Sequence, residues 1–247
     1  MGSIVWEREI AEVYDAVYAG EAGPDVVGPM VDLLAEVAGG ARALELAVGT
    51  GRVALPLAGR GIEVHGVDLS AAMVERLRAK PGAAAITVTV GDMTSTRVPG
   101  TFGLVYLVAN AIMNVTAQDD QLAVFANAAG HLDARGCFVV EVIVPQLRSV
   151  PPGETGRVFT LEPDHVGIET FDDPVGQIAW SHHWMQVDGR LVHHAAPYRY
   201  VWPSELDLMA RLAGLRLRDR WAGWDRSPFT AASTSQVAVY EKLPPPA

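Results

Sequence analysis

The stretch LELAVGTGR, residues 44–52, decides the fold. An apolar, strand-like segment runs into a Gly-Thr-Gly turn and on into "RVALPLAGRG", which reads as a helix. A strand, a glycine turn and a helix in that order are the opening unit of a doubly wound sheet, whose ligands bind at the carboxyl ends of its parallel strands. Where a dinucleotide-binding turn carries its first glycine, this sequence has Ala47. Alanine there is expected to keep φ negative, which weakens the case for a very close backbone approach by the ligand.

Outward from this unit the alternation continues. Strand "IEVHGVDLS", helix "AAMVERLRAK", strands "AITVTVGDM" and "FGLVYLVAN", helix "DDQLAVFANAAGHL" and strand "CFVVEVIV" follow in turn. Short apolar runs separated by helical segments predict a parallel sheet covered on both faces. Upstream, Tyr14 and Tyr18 stand four apart and share one helical face. After Pro145 the character changes: "RVFTLE", "HVGIETF", "GQIAWSHHWMQV" and "RLVHHAAPYRYVW" read as consecutive antiparallel strands, with "VDGR" as a two-residue hairpin turn. "SELDLMARLAG" is a helix expected to start on a Ser204 cap and stop at Gly214, before two last strands. The expected architecture is a Rossmann-like, mostly parallel seven-stranded α/β sheet in one domain. It divides into an N-terminal helical cap (1–39), a ligand-binding core (40–145), an antiparallel insertion (146–202) and a final helix and strand pair (203–247).

Composition narrows the function. The chain has 247 residues and a formal charge of −10, with no run of Lys or Arg, which argues against a nucleic-acid partner because such affinity comes from clustered cations. The single cysteine, Cys137, lies in an apolar run and suits a reducing compartment. No signal peptide and no long apolar span is visible, so no membrane partner and a cytoplasmic location are expected.

Gly49, Gly51 and Ala54 fit G-x-G-x-x-A, and Asp68 follows Gly49 by 19 residues, so a nicotinamide dinucleotide and an oxidoreductase stay open on that pattern alone. Glu45 weighs against it. A carboxylate beside a pyrophosphate is repelled, whereas one beside the ammonium and sulfonium of S-adenosylmethionine is favoured. Asp92 closes the next strand, where it could accept from an adenine amino group while Met93 lends a backbone N–H. The acids at three successive strand ends would thus span a ligand from its methionyl part, through ribose hydroxyls on Asp68, to the base.

"ALELAVGTGR", "VHGVDLS", "VGDM" and "FGLVYLVANAIMN" resemble the successive motifs of the class I S-adenosylmethionine-dependent methyltransferases over about residues 40–145. The layout, with its N-terminal Tyr helix and late insertion, resembles more loosely the bacterial natural-product N-methyltransferases that act on amino sugars or peptides. The resemblance implies S-adenosyl-L-methionine as cofactor, held by Tyr14, Glu45, Ala47, Gly49, Gly51, Arg52, Asp68, Leu69, Met73, Asp92, Met93 and Val108. It implies methyl transfer to a small-molecule or short-peptide nucleophile, more readily nitrogen than oxygen. An O-methyltransferase and a non-catalytic cofactor-binding module are the alternatives, and a homodimer is compatible with either.

The candidate catalytic residues are Tyr14, Asn110, His182 and His183. Asn110 and Asn114 follow the fourth strand, near where the family places the transferable methyl. His182 shares a strand face with Trp184, and His183 with Met185, so only one pair can look into a cleft. Across the hairpin His183 would face His194, and Trp184 would face His193. No cysteine accompanies these histidines and no H-E-x-x-H spacing is present, so no metal is expected. Trp202, Trp221, Trp224 and Phe229 are expected in the core, with a share of them walling the pocket for the methyl acceptor.

Overall fold

The structure, a computed structural model, describes residues 11, 12, 14, 15, 23–187 and 189–243. Tyr18 and Asp188 lie outside the described residues. Helix α1 (Pro24–Ala38) starts with a proline in its first turn and ends at Gly39, whose left-handed φ of 57° lets its N–H bond back to Ala35 and Glu36. Strand β1 (Ala43–Leu46), helix α2 (Ala54–Gly59), strand β2 (Val64–Asp68), helix α3 (Ala71–Arg78) and strand β3 (Ile86–Val90) form the first winding. Strand β4 (Phe102–Leu107), helix α4 (Gln118–His131) and strand β5 (Leu132–Ile143) form the second.

These strands, with β10 (Leu215–Trp221) and β11 (Ser235–Lys242), build a seven-stranded sheet in the order β10-β11-β5-β4-β1-β2-β3. The pairs β1–β2, β1–β4, β2–β3 and β4–β5 are parallel, and β11 runs antiparallel to both its neighbours. The strand order reverses between β1 and β4, which opens a crevice at their carboxyl ends. β1 and β2 are buried along their whole length, as strands covered on both faces must be.

Alternation sends Leu44 and Leu46 to one side, among Val124, Phe125 and Ala128 of α4 and the apolar face of a late helix, α5 (Pro203–Leu212). On the other side Ala43, Leu104 and Tyr106 pack with Val31 and Leu34 of α1 and Leu57 of α2. Glu45 therefore points into the α1 side of the core. α5 starts one residue before the expected cap: Pro203 occupies the first helical position, Trp202 is the N-cap, and Ser204 lies inside the first turn. Proline's fixed φ suits that first position, so it and not the serine sets the start.

Between β5 and α5 the chain forms a separate antiparallel sheet, ordered β6 (Gly156–Glu162), β7 (His165–Asp173), β8 (Ile178–Val187) and β9 (Arg190–Arg199). The hairpin register is the expected one, with His183 opposite His194 and Trp184 opposite His193. Arg199, almost fully buried, ties this sheet to the body: it donates to Gln121 of α4 and bonds Glu205 of α5 at 2.7 Å. Among the described residues no helix is long and apolar enough to cross a membrane.

Candidate active site

The turn after β1 is locked from both sides. The Val48 N–H donates to Val67 O at 3.0 Å, the Gly51 N–H to Val48 O at 3.0 Å, and the Gly49 N–H to Asp68 Oδ2 at 2.6 Å. Gly66 on β2 has no side chain because Val48 occupies that space, 2.8 Å from where a Cβ would stand. Gly49 and Gly51 both adopt positive φ. So does Ala47, at 57°, contrary to the negative φ expected of it. The tertiary bonds on either side force the left-handed turn, and a residue with a Cβ adopts it at a cost of about 1–2 kcal/mol.

The three acids differ in surroundings. Glu45 is 3% exposed and accepts from the Tyr106 hydroxyl at 2.9 Å. Burial pushes its pKa up to about 8, against the pull of Tyr106 and Arg52. Asp68 receives the Ser70 N–H at 2.8 Å on the oxygen that Gly49 leaves, and burial still holds its carboxyl above the usual range. Each of its oxygens keeps a second lone pair for a ribose hydroxyl. Asp92 uses one oxygen on the Thr94 N–H at 2.8 Å, and the buried Asn127 amide braces the Met93 carbonyl at 2.8 Å.

At the carboxyl ends of β1, β2, β3 and β4 lies a cavity of about 300 Å³. Its floor collects Ala47, Gly49, Arg52, Asp68, Leu69 and Met73, and its far wall Asp92, Met93, Val108 and Asn110. Tyr14 closes it from the N-terminal segment. That segment is pinned through Asp15, which accepts from the Thr50 hydroxyl at 2.6 Å and from Lys80 Nζ at 2.9 Å. Glu45 sits in an adjoining recess shared with Tyr14, Gly49 and Arg52. Gly51 lines neither space; it backs onto Leu77, 2.9 Å from where its Cβ would be, so its role is packing. One acid and a guanidinium at one end, with Asp68 and Asp92 farther along, suit a ligand with a zwitterionic amino-acid end joined to a nucleoside. The set fits S-adenosylmethionine, whose α-carboxylate Arg52 would hold and whose ammonium Glu45 would hold.

The insertion roofs this cavity. Ser181 and His183 of β8, Glu169 of β7, and His194 and Tyr198 of β9 line it. His182, expected as a catalytic candidate, is on the opposite face, stacked with Trp184 at 6.0 Å and with His193 at 6.2 Å, and does not line the cavity. The seating of the small sheet on the body, fixed through Arg199, turns the other histidine inward. Asn110 lines the wall, but its Oδ1 accepts from the Ile143 N–H at 2.7 Å, so its carbonyl holds β5. Trp202, Trp221, Trp224 and Phe229 are absent from the cavity wall, and Trp202 is exposed at the start of α5.

Glu169, Ser181, Tyr198 and Asp15 went unread in the sequence. Two of them carry a signal once His183 is known to face inward: Ser181 lies two residues before it on the same strand, and Glu169 pairs with Ser181. Tyr198 donates to Glu169, whose other oxygen receives Arg157 Nε at 2.8 Å, and burial pushes the Tyr198 phenol far above its ordinary range. Among the described residues no group of three or more His, Cys, Asp or Glu is arranged to hold a metal ion.

Comparison with known proteins agrees with this geometry. A family profile described as a methyltransferase domain matches residues 43–136. The CcbJ methyltransferase of Streptomyces caelestis is 34% identical and superposes with a TM-score of 0.84 over 95% of this chain and 96% of its own. The cypemycin N-terminal methyltransferase of a Streptomyces species is 25% identical over 96% of this chain and 98% of its own. An S-adenosylmethionine-bound amino pentose methyltransferase of Micromonospora echinaspora, involved in calicheamicin biosynthesis, shares the fold at 20% identity, with a TM-score of 0.71 over 94% of this chain and 97% of its own. A dinucleotide oxidoreductase is thereby set aside, and the chain belongs to the S-adenosylmethionine-dependent methyltransferases, with S-adenosylmethionine as its cofactor.

Proposed function

We propose that the enzyme methylates an amine nitrogen of a small natural product or short peptide, in the cytoplasm. Two relatives support a nitrogen-bearing methyl acceptor by name, one as an N-terminal and one as an amino pentose methyltransferase.

The observation that carries the nitrogen reading is the bonding of the roof histidine: both ring nitrogens of His183 are taken, by Ser181 Oγ at 2.8 Å and His165 Nε2 at 2.9 Å, so no carboxylate backs it as a strong base. Burial and the neighbouring imidazoles push His183 down to about 4, and burial likewise lowers His194. Two neutral, weakly basic imidazoles are poor partners for an alcohol, which has to give up its proton to a strong base as it attacks. An amine attacks with a lone pair it already has once it is neutral. When bound, the cofactor supplies a methyl group made electrophilic by its sulfonium. The chain's own part is then to hold the amine in line, exclude water and take the amine's proton, alignment of this kind being worth an effective molarity on the order of 10⁵ M or more. In this reading Asp68 and Asp92 hold the nucleoside, Arg52 and Glu45 the amino-acid end, and Tyr14 with the insertion closes the cavity over both reactants.

The test is a panel of short peptides with free α-amines, amino sugars and matched hydroxyl compounds, assayed for S-adenosylhomocysteine and for the methylated atom by mass spectrometry and NMR. Turnover confined to amines is the expected result. Turnover confined to hydroxyls overturns the nitrogen reading, and tight cofactor binding with no turnover on any class would make the chain a binding module.

A further inference from the structure

We propose that Ser181, His183 and His165 form a relay that carries the methyl acceptor's proton from the reaction cavity to solvent. The inference rests on the amine reading above and deepens it.

β8 sets Ser181 and His183 two residues apart on its inner face, and both line the cavity. Ser181 Oγ lies 2.8 Å from His183 Nε2. The other nitrogen of that ring, Nδ1, lies 2.9 Å from His165 Nε2 on β7. The two imidazoles stack with centroids 5.1 Å apart. His165 is outside the cavity wall and partly exposed. A continuous line of exchangeable protons therefore leads from the cavity to the surface. Phe159 of β6 sets its edge against the His183 ring at 5.4 Å and fixes its plane.

An amine acceptor arrives from water as an ammonium and must lose a proton inside a half-apolar cavity. A cationic cofactor beside it lowers its pKa, but the proton still needs a route that excludes bulk water. In the relay the ammonium N–H bond breaks and its proton goes to Ser181 Oγ. The Ser181 hydroxyl proton passes to His183 Nε2 while the His183 Nδ1 proton passes to His165 Nε2. The electron pair stays on the amine nitrogen, and the positive charge ends on His165, which releases a proton to water. His183 is a conduit, gaining one proton as it gives up another.

The groups facing His183 fit that role. His194 of β9 is directly opposite, and Glu169 of β7 pairs with Ser181. The two Glu169 oxygens are bonded to Arg157 of β6 and Tyr198 of β9. His182, adjacent on β8, faces away into its aromatic stack, and Glu162 of β6 pairs with His165 at the outer end.

The test has two arms. The first is histidine-selective nitrogen NMR on the full chain with S-adenosylhomocysteine bound, near neutral pH. The expected spectrum shows His183 protonated on Nδ1, with an Nε2 resonance that moves in Ser181→Ala. Protonation on Nε2, with Nδ1 accepting from His165, overturns the relay, because the line would then point into the cavity. The second arm uses an amine turned over in the panel above. His165→Gly lowers kcat roughly tenfold or more, leaves S-adenosylhomocysteine affinity unchanged, displaces the acid limb of the pH profile and is rescued by added imidazole. His165→Gln, which accepts a hydrogen bond but passes no proton, shows the same loss without the glycine's effect on the strand. Parental kcat in both variants overturns the relay alone, whereas turnover of hydroxyls only overturns the amine reading.

Discussion

Glu45 and Tyr106 lie side by side on β1 and β4, and the Tyr106 phenol donates to the Glu45 carboxyl at 2.9 Å inside the core. With burial raising Glu45 to about 8, the free enzyme holds this acid largely protonated at neutral pH. A ligand ammonium in the adjoining recess would favour the carboxylate and lower that value. Binding of S-adenosylhomocysteine at neutral pH should therefore release a proton, seen by calorimetry in buffers of different ionisation enthalpy. Glu45→Gln should abolish the release, and equal release in both proteins would remove Glu45 from the ammonium site.

The same acid predicts the pH dependence of the unliganded fold. A carboxyl raised in the folded state adds stability that is complete below its unfolded value, near 4.5, and is lost as pH rises through about 8. Thermal unfolding without cofactor should show a Tm that falls over that window, with a smaller fall in Glu45→Gln. A Tm slope unchanged by the substitution would contradict the buried, protonated state.

Cofactor affinity should depend on both acids. Asp68→Ala and Glu45→Ala are each expected to weaken S-adenosylhomocysteine binding by roughly tenfold or more, about 1.4 kcal/mol. For Asp68 part of the loss comes through the turn, since Gly49 and Ser70 lose the carboxylate that receives their N–H groups. Titration calorimetry that finds parental affinity in both variants would sink the site assignment.

Ala47 carries strain that glycine would relieve. Its φ of 57° disfavours any residue with a Cβ. Glycine gives back part of that gain through its greater freedom in the unfolded chain, so Ala47→Gly should stabilise by about 0.5–1 kcal/mol, a rise of roughly 1–4 °C in Tm. A β-branched residue, as in Ala47→Val, should lower Tm.

Asp15 and Lys80 should behave as a coupled latch between the N-terminal segment and the glycine turn. Lys80 Nζ also donates to the Thr50 carbonyl at 2.9 Å, so the two contacts share one cation. With the Lys80 and Asp15 side chains 29% and 33% exposed, a double-mutant cycle of Asp15→Ala and Lys80→Met should give a stability coupling of about 0.2–1 kcal/mol. Both variants should bind cofactor more weakly, since Tyr14 adjoins Asp15 and closes the cavity. Additive effects on affinity would show that the two do not act together.

Much of the cavity floor was legible because its residues sit at strand ends whose spacing follows from the fold. Asp68 could be placed from its distance to Gly49, and the two prove to be bonded directly. The serine signal at Ser204 is local, whereas Pro203 takes the first helical position and places the cap at Trp202, two residues earlier. The cavity roof was less legible. Period-two alternation says that His182 and His183 point to opposite sides, but nothing local says which side meets the body of the protein. Arg199, Gln121 and Glu205 decide that, from three separate elements.

The order of apolar runs, turns and strand-end acids by itself determined the doubly wound sheet, the late antiparallel insertion and the gathering of acids at the strand ends, because those depend on short-range periodicity and spacing. Only the tertiary structure decided the left-handed Ala47, the burial that keeps Glu45 protonated, and the inward turn of Ser181, His183 and Tyr198. Each of these arises from contacts between segments far apart in the chain, whose relative seating no local pattern specifies.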